Sequence, residues 1–540
     1  MKYIFTAFLL FGAFAASAQE TYENTKMVDN DLNGTAKYIG MGGAMDALGG
    51  DISVISTNPA GIGIFNSSRA DLSFGMVSQQ GAKAFGNANA TNASFDQLGF
   101  VYSMKDKWGS GFNFAANYHK SLNFDYILSA AGALNNASQN TLSFLKAIGG
   151  YDQNGTSIFN VENTNNGLMG KAPYTSQLDN LYYNNFIIDN SSLPGYNSAS
   201  KYLMNRANSG YIGVYDFNIS GSTNNRFFYG LTVGIHDVHY KGLSAYNESL
   251  VNYQGQSAGS LTVNDERNIT GSGADFKVGV IFLPIKYSPF RVGLSIATPT
   301  FYSLTTSNNT MLTNSSNVTG YNKGWTTSEA YSFKLNTPWK FGLSLGHTIG
   351  NYLALGASYE YADYSAMKTL VNTGSSYDPY YGSYYDTSSN DVTMNNHTKQ
   401  TLKAVSTFKI GAEFKPMSNL ALRAGYNYLS PMYSMQGYKD GSIDSYGSNY
   451  SSATDYVNWK STNRLTLGAG YTMDRFNIDL AYQYSAQDGE FHPFMDAYGD
   501  YYYMNTQTNK VEVEKIDNYQ DPVKVSNQRH QLLLTLGYRF

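Results

Sequence analysis

Charged residues stand at intervals inside otherwise apolar stretches of this sequence, and they are its first candidates for chemistry. Three basic members of this set are Lys277, Lys409 and Arg423. Basic side chains bind carboxylates, and an arginine guanidinium can donate two parallel hydrogen bonds to one carboxylate. One hypothesis is that these cations hold the carboxylate of a ligand. The alternative is that they pair with acidic side chains and so hold two parts of the protein together. The acidic candidates are Glu360, Glu413 and Asp479.

Histidine and serine residues offer little support for catalysis. A barrel hydrolase needs a Ser, a His and an acid that converge on one wall. His119, His347 and His530 have no Ser near them in a recognisable arrangement, although Ser110 or Ser344 can be suggested as a nucleophile. We therefore predict that the protein is not an enzyme.

Metal-binding patterns are equally weak. Residues 29–34, Asp-Asn-Asp-Leu-Asn-Gly, resemble the start of a calcium loop, but position 12 of that loop is Gly40, where a bidentate Glu is needed. We interpret this stretch as solvated chain. His236 and His239 are three residues apart on a predicted strand, so they point to opposite faces and make a poor metal pair. With zero Cys there is no thiolate site, and we predict neither metal nor other cofactor.

The elements that carry the charged residues are segments of about ten residues, from Arg69 onward, in which apolar residues alternate with small or polar ones. This period of two is typical of strands with lipid on one side and a polar lumen on the other. We count fourteen such segments. They begin near Leu72, Leu98, Phe112, Tyr215, Tyr229, Phe276, Val292, Phe341, Leu353, Phe408, Leu420, Leu465, Phe476 and Leu532.

Connections between these segments alternate strictly between short and long, and the longest runs from Lys120 to Gly210. Outer-membrane barrels have short periplasmic turns, long extracellular loops and an even number of strands. The sequence therefore predicts an all-β fold, a transmembrane antiparallel β-barrel of about 14 strands over residues 69–540. Charges on its lipid face would be costly, so the intervening charged residues should face the lumen. These are Asp216, Asp275, Lys277, Arg291, Lys334, Glu360, Lys409, Glu413, Arg423, Arg464 and Asp479.

Composition supports a barrel and excludes other classes. The chain has 47 Tyr, 30 Phe and 52 Gly but only 14% charged residues, against about 25% in soluble proteins. No apolar stretch approaches the roughly 20 residues of a membrane-spanning helix. A formal charge of -4 gives no basic footprint for nucleic acid. A secreted β-sandwich or propeller is the alternative, although no repeat of blade length is present.

Both ends of the sequence carry features of an exported barrel. Residues 1–18 have the basic start, apolar run and small-residue cleavage site of a signal peptide. At the other end, Tyr538 and Phe540 lie in an alternating segment that resembles the signal read by the barrel-insertion machinery. We therefore expect a location in the cell outer membrane, in contact with its lipid and lipopolysaccharide.

Residues 19–68 do not alternate and are rich in turn-forming residues. They contain Gly-Met-Gly-Gly-Ala at 40–44, Asp-Ile-Ser at 51–53 and Asn-Pro-Ala-Gly at 58–61. Glycines beside an Asn-Pro pair indicate tight turns and close backbone approach. In this order, just before the first strand, the motifs resemble those of the FadL/TodX family of outer-membrane channels for long-chain fatty acids and other hydrophobic compounds. The strand number and the terminal Phe540 agree with that resemblance.

The resemblance implies that residues 19–68 fold as a hatch that blocks the lumen. It places Asn58, Pro59 and Ala60, followed by Gly61, in a turn of that hatch. Close packing of the hatch against the inner wall is implied for Gly40, Gly42 and Gly43. It also implies a monomer and helical extracellular loops that form an apolar groove, and residues 142–148 of the longest loop are a candidate for such a helix.

Our main hypothesis is passive uptake of a hydrophobic small molecule, which binds among the extracellular loops and passes after the hatch rearranges. The rival hypothesis is a surface adhesion or structural barrel whose long Tyr-rich loops bind partners. A diffusion porin for polar solutes is disfavoured, because a porin has no use for a hatch before its first strand.

Overall fold

Alternating segments from Arg69 onward form strands, as the sequence predicts. The structure is a computed structural model and describes residues 20–540 apart from residues 30, 107–109, 166, 172–174, 186–195, 253, 317–323, 381 and 506. The predicted signal peptide, residues 1–18, lies outside the described residues.

Fourteen antiparallel strands close into a barrel. They are β1 Arg69–Gln79, β2 Thr91–Lys105, β3 Gly111–Asn123, β4 Ser198–Thr223, β5 Phe227–Val251, β6 Ser257–Phe282, β7 Arg291–Ala297, β8 Lys340–Ile349, β9 Leu353–Asp363, β10 Ala404–Met417, β11 Leu420–Leu429, β12 Tyr456–Met473, β13 Phe476–His492 and β14 Val523–Arg539. The last strand pairs with the first, Arg539 opposite Arg69, which closes the wall. Each strand contains one of the fourteen predicted segments, so the predicted fold class is confirmed.

Six α-helices, three 3₁₀ helices and eleven further strands complete the secondary structure that is described. The α-helices are α1 Thr21–Thr25, α2 Ala36–Gly40, α3 Gln139–Ala147, α4 Gln177–Tyr183, α5 Val392–Thr401 and α6 Tyr446–Asn449, and the 3₁₀ helices are Ile52–Ser56, Pro59–Ile64 and Tyr364–Ala366. The further strands are Tyr126–Ala137, Ile148–Tyr151, Ser157–Phe159, Val161–Thr164, Gly167–Gly170, Phe301–Ser316, Gly324–Asn336, Lys368–Asp378, Ser383–Asn390, Ala497–Asn505 and Lys510–Asn518.

We call the barrel end with the short connections the turn end and the opposite end the loop end. In the parts of the strands nearer the turn end, apolar side chains point outward. Examples are Phe217, which is 53% exposed, and Leu467, which is 60% exposed. Inward-pointing polar side chains such as Asp216 and Asp479 are buried. The charged residues of the fourteen strands thus follow the predicted alternation. Lys334 does not: it lies on the further strand Gly324–Asn336, between the buried side chains of Phe333 and Leu335 and therefore on the opposite face, so its predicted lumenal placement is wrong. Within the described ranges, no helix has the length and apolarity needed to cross a membrane.

Strand β5 shows how the interior changes from the turn end to the loop end. Even-numbered residues point inward along its whole length. After Phe228 these are small or polar up to His236, as at Gly230 and Thr232, whereas from Val238 and Tyr240 onward several are apolar and buried. The apolar positions therefore switch from the outer to the inner face partway along the strand.

This switch explains one error of the sequence analysis. The alternation ends near Lys241 and resumes near Arg267, which predicts one of the long loops there, but these residues mostly continue β5 and β6, which stay paired up to Val251 and Ser257. Closer to the loop end, residues still alternate between apolar and polar, but the apolar ones now point inward. They can do so because other elements cover the inward side chains there. Only residues 252–256 connect the two strands.

Elements above the barrel mouth form a separate apolar core at the loop end. Helix α3 includes most of the predicted helical stretch at residues 142–148, so that prediction is confirmed. Phe144 of α3 and Tyr182 of α4 are buried with Phe491 of β13 in this core. The core fixes the loop-end elements over the mouth.

Residues 20–68, which we call the N-terminal segment, run through the lumen from one end to the other. Near its start, Thr21 lies 2.9 Å from Nδ1 of His397 in α5, at the loop end. Near its finish, Ala60 is buried with Phe228 and Ile281, close to the turns. The segment therefore contacts both the loop-end elements and the inner wall.

Candidate functional site

Two adjoining cavities lie in the lumen, bordered by the wall and the N-terminal segment, and each has a volume of about 180 Å³. Leu122, Tyr364 and Leu429 line both, so the cavities meet at that level. We call the cavity nearer the loop end the outer cavity. The inner cavity extends toward Tyr38 of the N-terminal segment.

Eight aromatic side chains line the outer cavity, together with aliphatic and polar ones. Tyr22 of α1 stacks on Tyr433, with 5.2 Å between ring centroids, and its ring lies 4.9 Å from Tyr456. Tyr126 meets Trp459 edge to face at 5.6 Å. Further apolar and aromatic lining residues are Leu122, Phe124, Leu128, Tyr240, Val405, Leu429, Met432 and Val457. Rings arranged in this way offer faces and edges to an apolar molecule.

Each of the four cations that line the outer cavity is paired with a carboxylate. The pairs are Lys26 with Glu23 at 2.8 Å, Arg206 with Asp455 at 2.8 Å, Lys460 with Glu490 at 2.7 Å and Arg529 with Asp31 at 3.3 Å. Because these charges are paired, the surface left for contact with a ligand consists of the aromatic faces and of neutral polar side chains such as Asn208 and Gln487.

The stretch at residues 29–34 contacts the wall, in contrast to the solvated chain expected from its sequence. Besides its ion pair with Arg529, Asp31 accepts a 2.9 Å hydrogen bond from the backbone N–H of Asn123. Asn33 donates at 2.9 Å to Asp96 of β2. The carboxylate of Asp31 therefore has partners in the barrel wall, whereas Asp29 is exposed.

The inner cavity is polar, and the predicted cation Lys277 is one of its lining residues. The ammonium of Lys277 lies 2.6 Å from Asp275 and 3.3 Å from Asp216. His236 is 3.1 Å from Asp275, while His239 on the other face of the strand is exposed, as the spacing of the two histidines predicts. No group of three or more potential metal ligands is present among the described residues.

The predicted cation Lys409 also lines the inner cavity, where it faces the N-terminal segment. Its Nζ lies 3.7 Å from Asp46, a carboxylate to which Thr57 donates at 2.5 Å. Burial raises the pKa of nearby Tyr38 to about 12 despite the opposing effect of Lys409. The Tyr38 hydroxyl therefore stays protonated at physiological pH.

Arg423, the third predicted cation, lies beneath α2. It donates from Nε to Glu413 and from Nη1 to Asp479, both at 2.6 Å. The backbone of Gly40 covers it, and a β-carbon at Gly40 would lie 3.3 Å from Cβ of Arg423. The structure thus brings Lys277 and Lys409 to the same cavity and uses Arg423 to join two wall carboxylates under the N-terminal segment.

Eight consecutive strands, β5 to β12, each carry a wall glycine that meets the N-terminal segment. This set, which we call the glycine collar, consists of Gly230, Gly279, Gly293, Gly346, Gly356, Gly411, Gly425 and Gly468. A β-carbon at Gly411 would overlap the carbonyl of Met41, and one at Gly356 would overlap the carbonyl of Ala44. The segment's backbone therefore lies in direct contact with the wall backbone.

The collar was missed in the sequence analysis, although its signal is present. Gly346, Gly356, Gly411 and Gly425 are direct cross-strand neighbours on β8 to β11. They occupy inward positions of the same alternation that identified the strands. Comparing the inward positions of neighbouring predicted strands would have revealed them.

Motif residues of the N-terminal segment build its turns. The side chain of Asn58 accepts from the backbone N–H of Ala60 at 3.2 Å, with Pro59 as the first residue of the 3₁₀ helix. Asp51 accepts from the N–H of Ser53 at 2.9 Å and from the hydroxyl of Thr35 at 2.7 Å. Such caps satisfy backbone donors at helix starts and fix the path of the chain.

The glycines of the motif differ in their surroundings. A β-carbon at Gly42 would lie 2.8 Å from the backbone nitrogen of Tyr426 on the wall, so Gly42 packs on the wall as expected. Gly43 faces Leu32 of the segment itself, and Gly61 faces Val54. These two glycines serve close packing within the segment.

The terminal residues of the predicted insertion signal lie at the seam where the barrel closes. The backbone N–H of Phe540 donates to the carbonyl of Ser68 at 3.0 Å. Tyr538 pairs with Ala70 of β1, and its ring lies 4.9 Å from that of Phe540. Recognition of these residues by the insertion machinery stays a prediction.

Comparisons with known proteins give structural likeness at low sequence identity. No protein-family model matches the chain, and no curated protein matches its sequence. A Pseudomonas aeruginosa FadL homologue is similar over 97% of this chain and 98% of its own, with 14% identity and a TM-score of 0.46. The Ralstonia pickettii toluene transporter TbuX matches over 94% and 99%, with 13% identity and a TM-score of 0.45.

The Pseudomonas putida toluene transporter TodX is also similar, over 94% of this chain and 98% of its own, with 13% identity and a TM-score of 0.44. Likeness at this identity and TM-score establishes neither an activity nor a ligand for this chain. Its function has to be argued from its own cavities and contacts.

Proposed function

We propose that this chain is an outer-membrane channel for passive uptake of hydrophobic small molecules, with residues 19–68 acting as its hatch. The observation that carries the proposal is the aromatic outer cavity inside a barrel lumen. A lumen that passes polar solutes is lined by polar side chains. Here, the ring of Tyr22 in the N-terminal segment and those of Tyr433 and Trp459 around it line the outer cavity.

A buried apolar belt extends this surface around the lumen. It includes Val238 and Tyr240 of β5, Ile269 of β6, and Leu429 of β11. Removal of apolar ligand surface from water favours binding by about 25 cal/mol per Å². A long-chain fatty acid or an aromatic compound would gain from that burial, whereas a sugar or an ion would lose hydration.

Residues 40–46 of the N-terminal segment suit the role of a movable hatch because their contacts with the wall are close yet individually modest. The glycine collar lets backbone meet backbone without interlocking side chains, and Lys409 and Asp46 are 3.7 Å apart. We propose that ligand in the outer cavity moves to the inner cavity and passes when the segment shifts along the collar.

The remaining parts of the proposal concern location and partners. Outward apolar side chains on the fourteen strands would face outer-membrane lipid, and lipopolysaccharide would contact the loop-end strands. Export by a signal peptide over residues 1–18, insertion through Tyr538 and Phe540, and a monomeric state belong to the same proposal.

Mass spectrometry of small molecules that co-purify with the protein from its own membrane tests this function. We expect an apolar compound to be enriched over a control barrel and depleted in a Trp459→Ala/Tyr433→Ala variant. Ser78→Ala/Thr91→Ala, a polar pair joined by a 2.7 Å hydrogen bond on exposed parts of β1 and β2, is the matched control. Barrel integrity in each variant is checked by circular dichroism.

Two results would count against the proposal. Absence of any apolar enrichment would favour the adhesion hypothesis, which predicts that deletion of loop-end hairpins abolishes binding to surfaces. Equal enrichment in wild type and the aromatic variant would remove the outer cavity as the binding site.

A further inference from the structure

Two lysines on the outer face of the wall lie side by side at the loop-end edge of the apolar band. Lys334 belongs to the strand Gly324–Asn336 and Lys368 to the neighbouring strand Lys368–Asp378. We propose that these two residues, which we call the lysine pair, bind a phosphate group of lipopolysaccharide in the outer leaflet. The inference deepens the proposed function and rests on it in one respect, the location in the outer membrane.

The alternation of burial places both lysines on the outer face of the wall. Phe333 and Leu335, on either side of Lys334, are buried, and so is Thr369, the residue after Lys368. Successive side chains of a strand point to opposite faces. The side chains of the two lysines therefore point away from the lumen, toward the surroundings of the barrel.

The register of the two strands brings the lysines close together. Leu370 is the cross-strand partner of Lys334, and Asn336 is the partner of Lys368, so the two lysines are diagonal neighbours. Diagonal neighbours on one face of an antiparallel pair are about 7–8 Å apart. A lysine ammonium is a compact charge on a flexible four-carbon stem, so both ammoniums can reach a single phosphate.

The described side chains of the protein supply no counterion for the lysine pair. Lys334 makes one long hydrogen bond, of 3.4 Å, to the hydroxyl of Ser388, and neither ammonium has an ion-pair partner among the described residues. Asp363, the acidic residue nearest to Lys368 in the chain, accepts hydrogen bonds from the backbone N–H of Ser365 at 3.1 Å and from its hydroxyl at 2.6 Å. The two cations are therefore available to an anionic group from outside the chain.

The level of the lysine pair on the wall is that of lipid headgroups. In the adjoining ladder, Phe301 lies opposite Asn336 and Ser303 lies opposite Lys334. Phe301 points outward and is 50% exposed, whereas the next outward residues of its strand toward the loop end, Ser303 and Thr305, are polar. The outward apolar band thus ends at the pair. In a membrane barrel this boundary marks the interface between acyl chains and headgroups.

The chemistry of the pair selects a phosphate that brings no cation of its own. Lysine binds phosphate as a point charge. A zwitterionic phospholipid carries its own ammonium beside its phosphate, whereas the phosphates on the sugars of lipopolysaccharide do not. The hydroxyls of Ser303 and Ser388 flank the pair and can donate to the same phosphate. Acyl chains of the lipid would contact outward rings such as Phe301 and Trp339, which is 49% exposed.

Native mass spectrometry of the full chain in neutral detergent tests this site. The probe is lipid A, the acylated and phosphorylated sugar part of lipopolysaccharide, and lipid A without its phosphates is the control ligand. Wild type is compared with Lys334→Gln/Lys368→Gln, with Lys334→Arg/Lys368→Arg and with Lys241→Gln. Lys241 is exposed on the outer face of β5 near the loop end, but its diagonal neighbour is a carboxylate, Glu266 of β6. Its variant is therefore the matched control.

We expect wild type to retain lipid A and the double glutamine variant to raise its Kd about tenfold or more, because each lysine near a membrane surface adds to the attraction of anionic lipid. The double arginine variant should keep the binding, and Lys241→Gln should leave it unchanged. Equal Kd values in wild type and the double glutamine variant, with folding verified by circular dichroism, would overturn the proposal. Equal binding of lipid A with and without its phosphates would do the same.

Two further comparisons identify the lipid and separate this inference from the proposed function. If phosphatidylglycerol, an anionic phospholipid, displaces lipid A at equal concentration, the assignment to lipopolysaccharide is wrong. Apolar compounds that co-purify should be enriched equally in wild type and the double glutamine variant, because the lysine pair lies outside the lumen. Lipid A binding without any apolar enrichment would contradict uptake and support this inference, whereas apolar enrichment without lipid A binding would overturn this inference alone.

Discussion

Single residues determine how closely the N-terminal segment meets the wall. Gly356 and Gly411 are direct cross-strand neighbours, and each lies under a carbonyl of the segment. No side chain of any size fits there without moving the segment or the strand. The close contact between the segment and the wall therefore depends on these glycines. Charged pairs beside them contribute to the same contact.

Replacement of Gly411 by Val should therefore loosen the segment while the barrel remains closed. Overpacking of this kind costs about 1–3 kcal/mol, which corresponds to a roughly 5- to 150-fold rise in the displaced population. Hydrogen exchange of the amides in α2 and residues 41–49 measures this directly. Ala412→Val, on the outer face of the same strand, is the control. Unchanged exchange in Gly411→Val would show that the segment does not depend on the collar.

Arg423 should matter more for stability than Lys409. The Arg423 guanidinium lies 2.6 Å from both Glu413 and Asp479. Its removal leaves these buried carboxylates without that partner, and such a loss lowers the free energy of unfolding by about 3–5 kcal/mol. Lys409 and Asp46 are 3.7 Å apart, so a smaller loss is expected. Urea unfolding of the two alanine variants compares the free energies of unfolding. A loss below about 1 kcal/mol in Arg423→Ala would contradict this role and revive its assignment to a ligand.

Helix α1 attaches the N-terminal segment to the wall at the loop end. Helix α1 places Glu23 2.5 Å from Arg267 of β6 and 2.8 Å from Lys26. Burial raises the pKa of Glu23, but Arg267, Lys26 and Lys439 outweigh burial and hold it well below the ordinary glutamate value. Helix α1 is thereby attached by a carboxylate that must stay ionised.

Because the folded-state pKa of Glu23 is lowered, its contribution is present above the ordinary glutamate pKa of about 4.3 and is lost as pH falls through the folded value. We expect the attachment of α1 to be unchanged from pH 7 to 5 and to weaken only in stronger acid. The chain has no native Cys, so the mobility of a spin label on a cysteine at Asp29 reports it. Glu23→Gln should be mobile already at pH 7, and identical profiles for both proteins would contradict the assignment.

At the scale of elements, the sequence predicted much of what the structure contains. Period-two alternation located all fourteen strands, since lipid and lumen impose opposite chemistry on adjacent residues. The loop-end parts of β5 and β6 were not predicted as strands, because the apolar positions change faces near Val238. Contacts such as Thr21 with His397 join residues 376 apart in sequence, and local patterns carry no information on such a pairing. Arg423 differs, because the alternation that placed charged residues on the inner face also named Glu413 and Asp479 among its possible partners, and Arg423 pairs with both.

Across the whole molecule, three cavities lie in order along the lumen. The outer cavity is lined by aromatic and polar side chains, the inner cavity is polar, and a cavity of about 480 Å³ opens at the turn end between the N-terminal segment and strands β7 to β10. The segment contacts eight consecutive strands through the glycine collar and reaches the loop-end elements through α1. Under the proposed function, passage between the two barrel ends depends on the position of this one segment.

Ionic current through single barrels in planar lipid bilayers tests that dependence most directly. The wild-type chain and a variant without residues 20–65 are compared under the same salt and voltage, after circular dichroism has verified the barrel in both. We predict that wild type is closed and that the deletion gives a stable, long-lived conductance. The same current in both proteins would contradict the account, because the lumen would then be open or closed irrespective of the N-terminal segment.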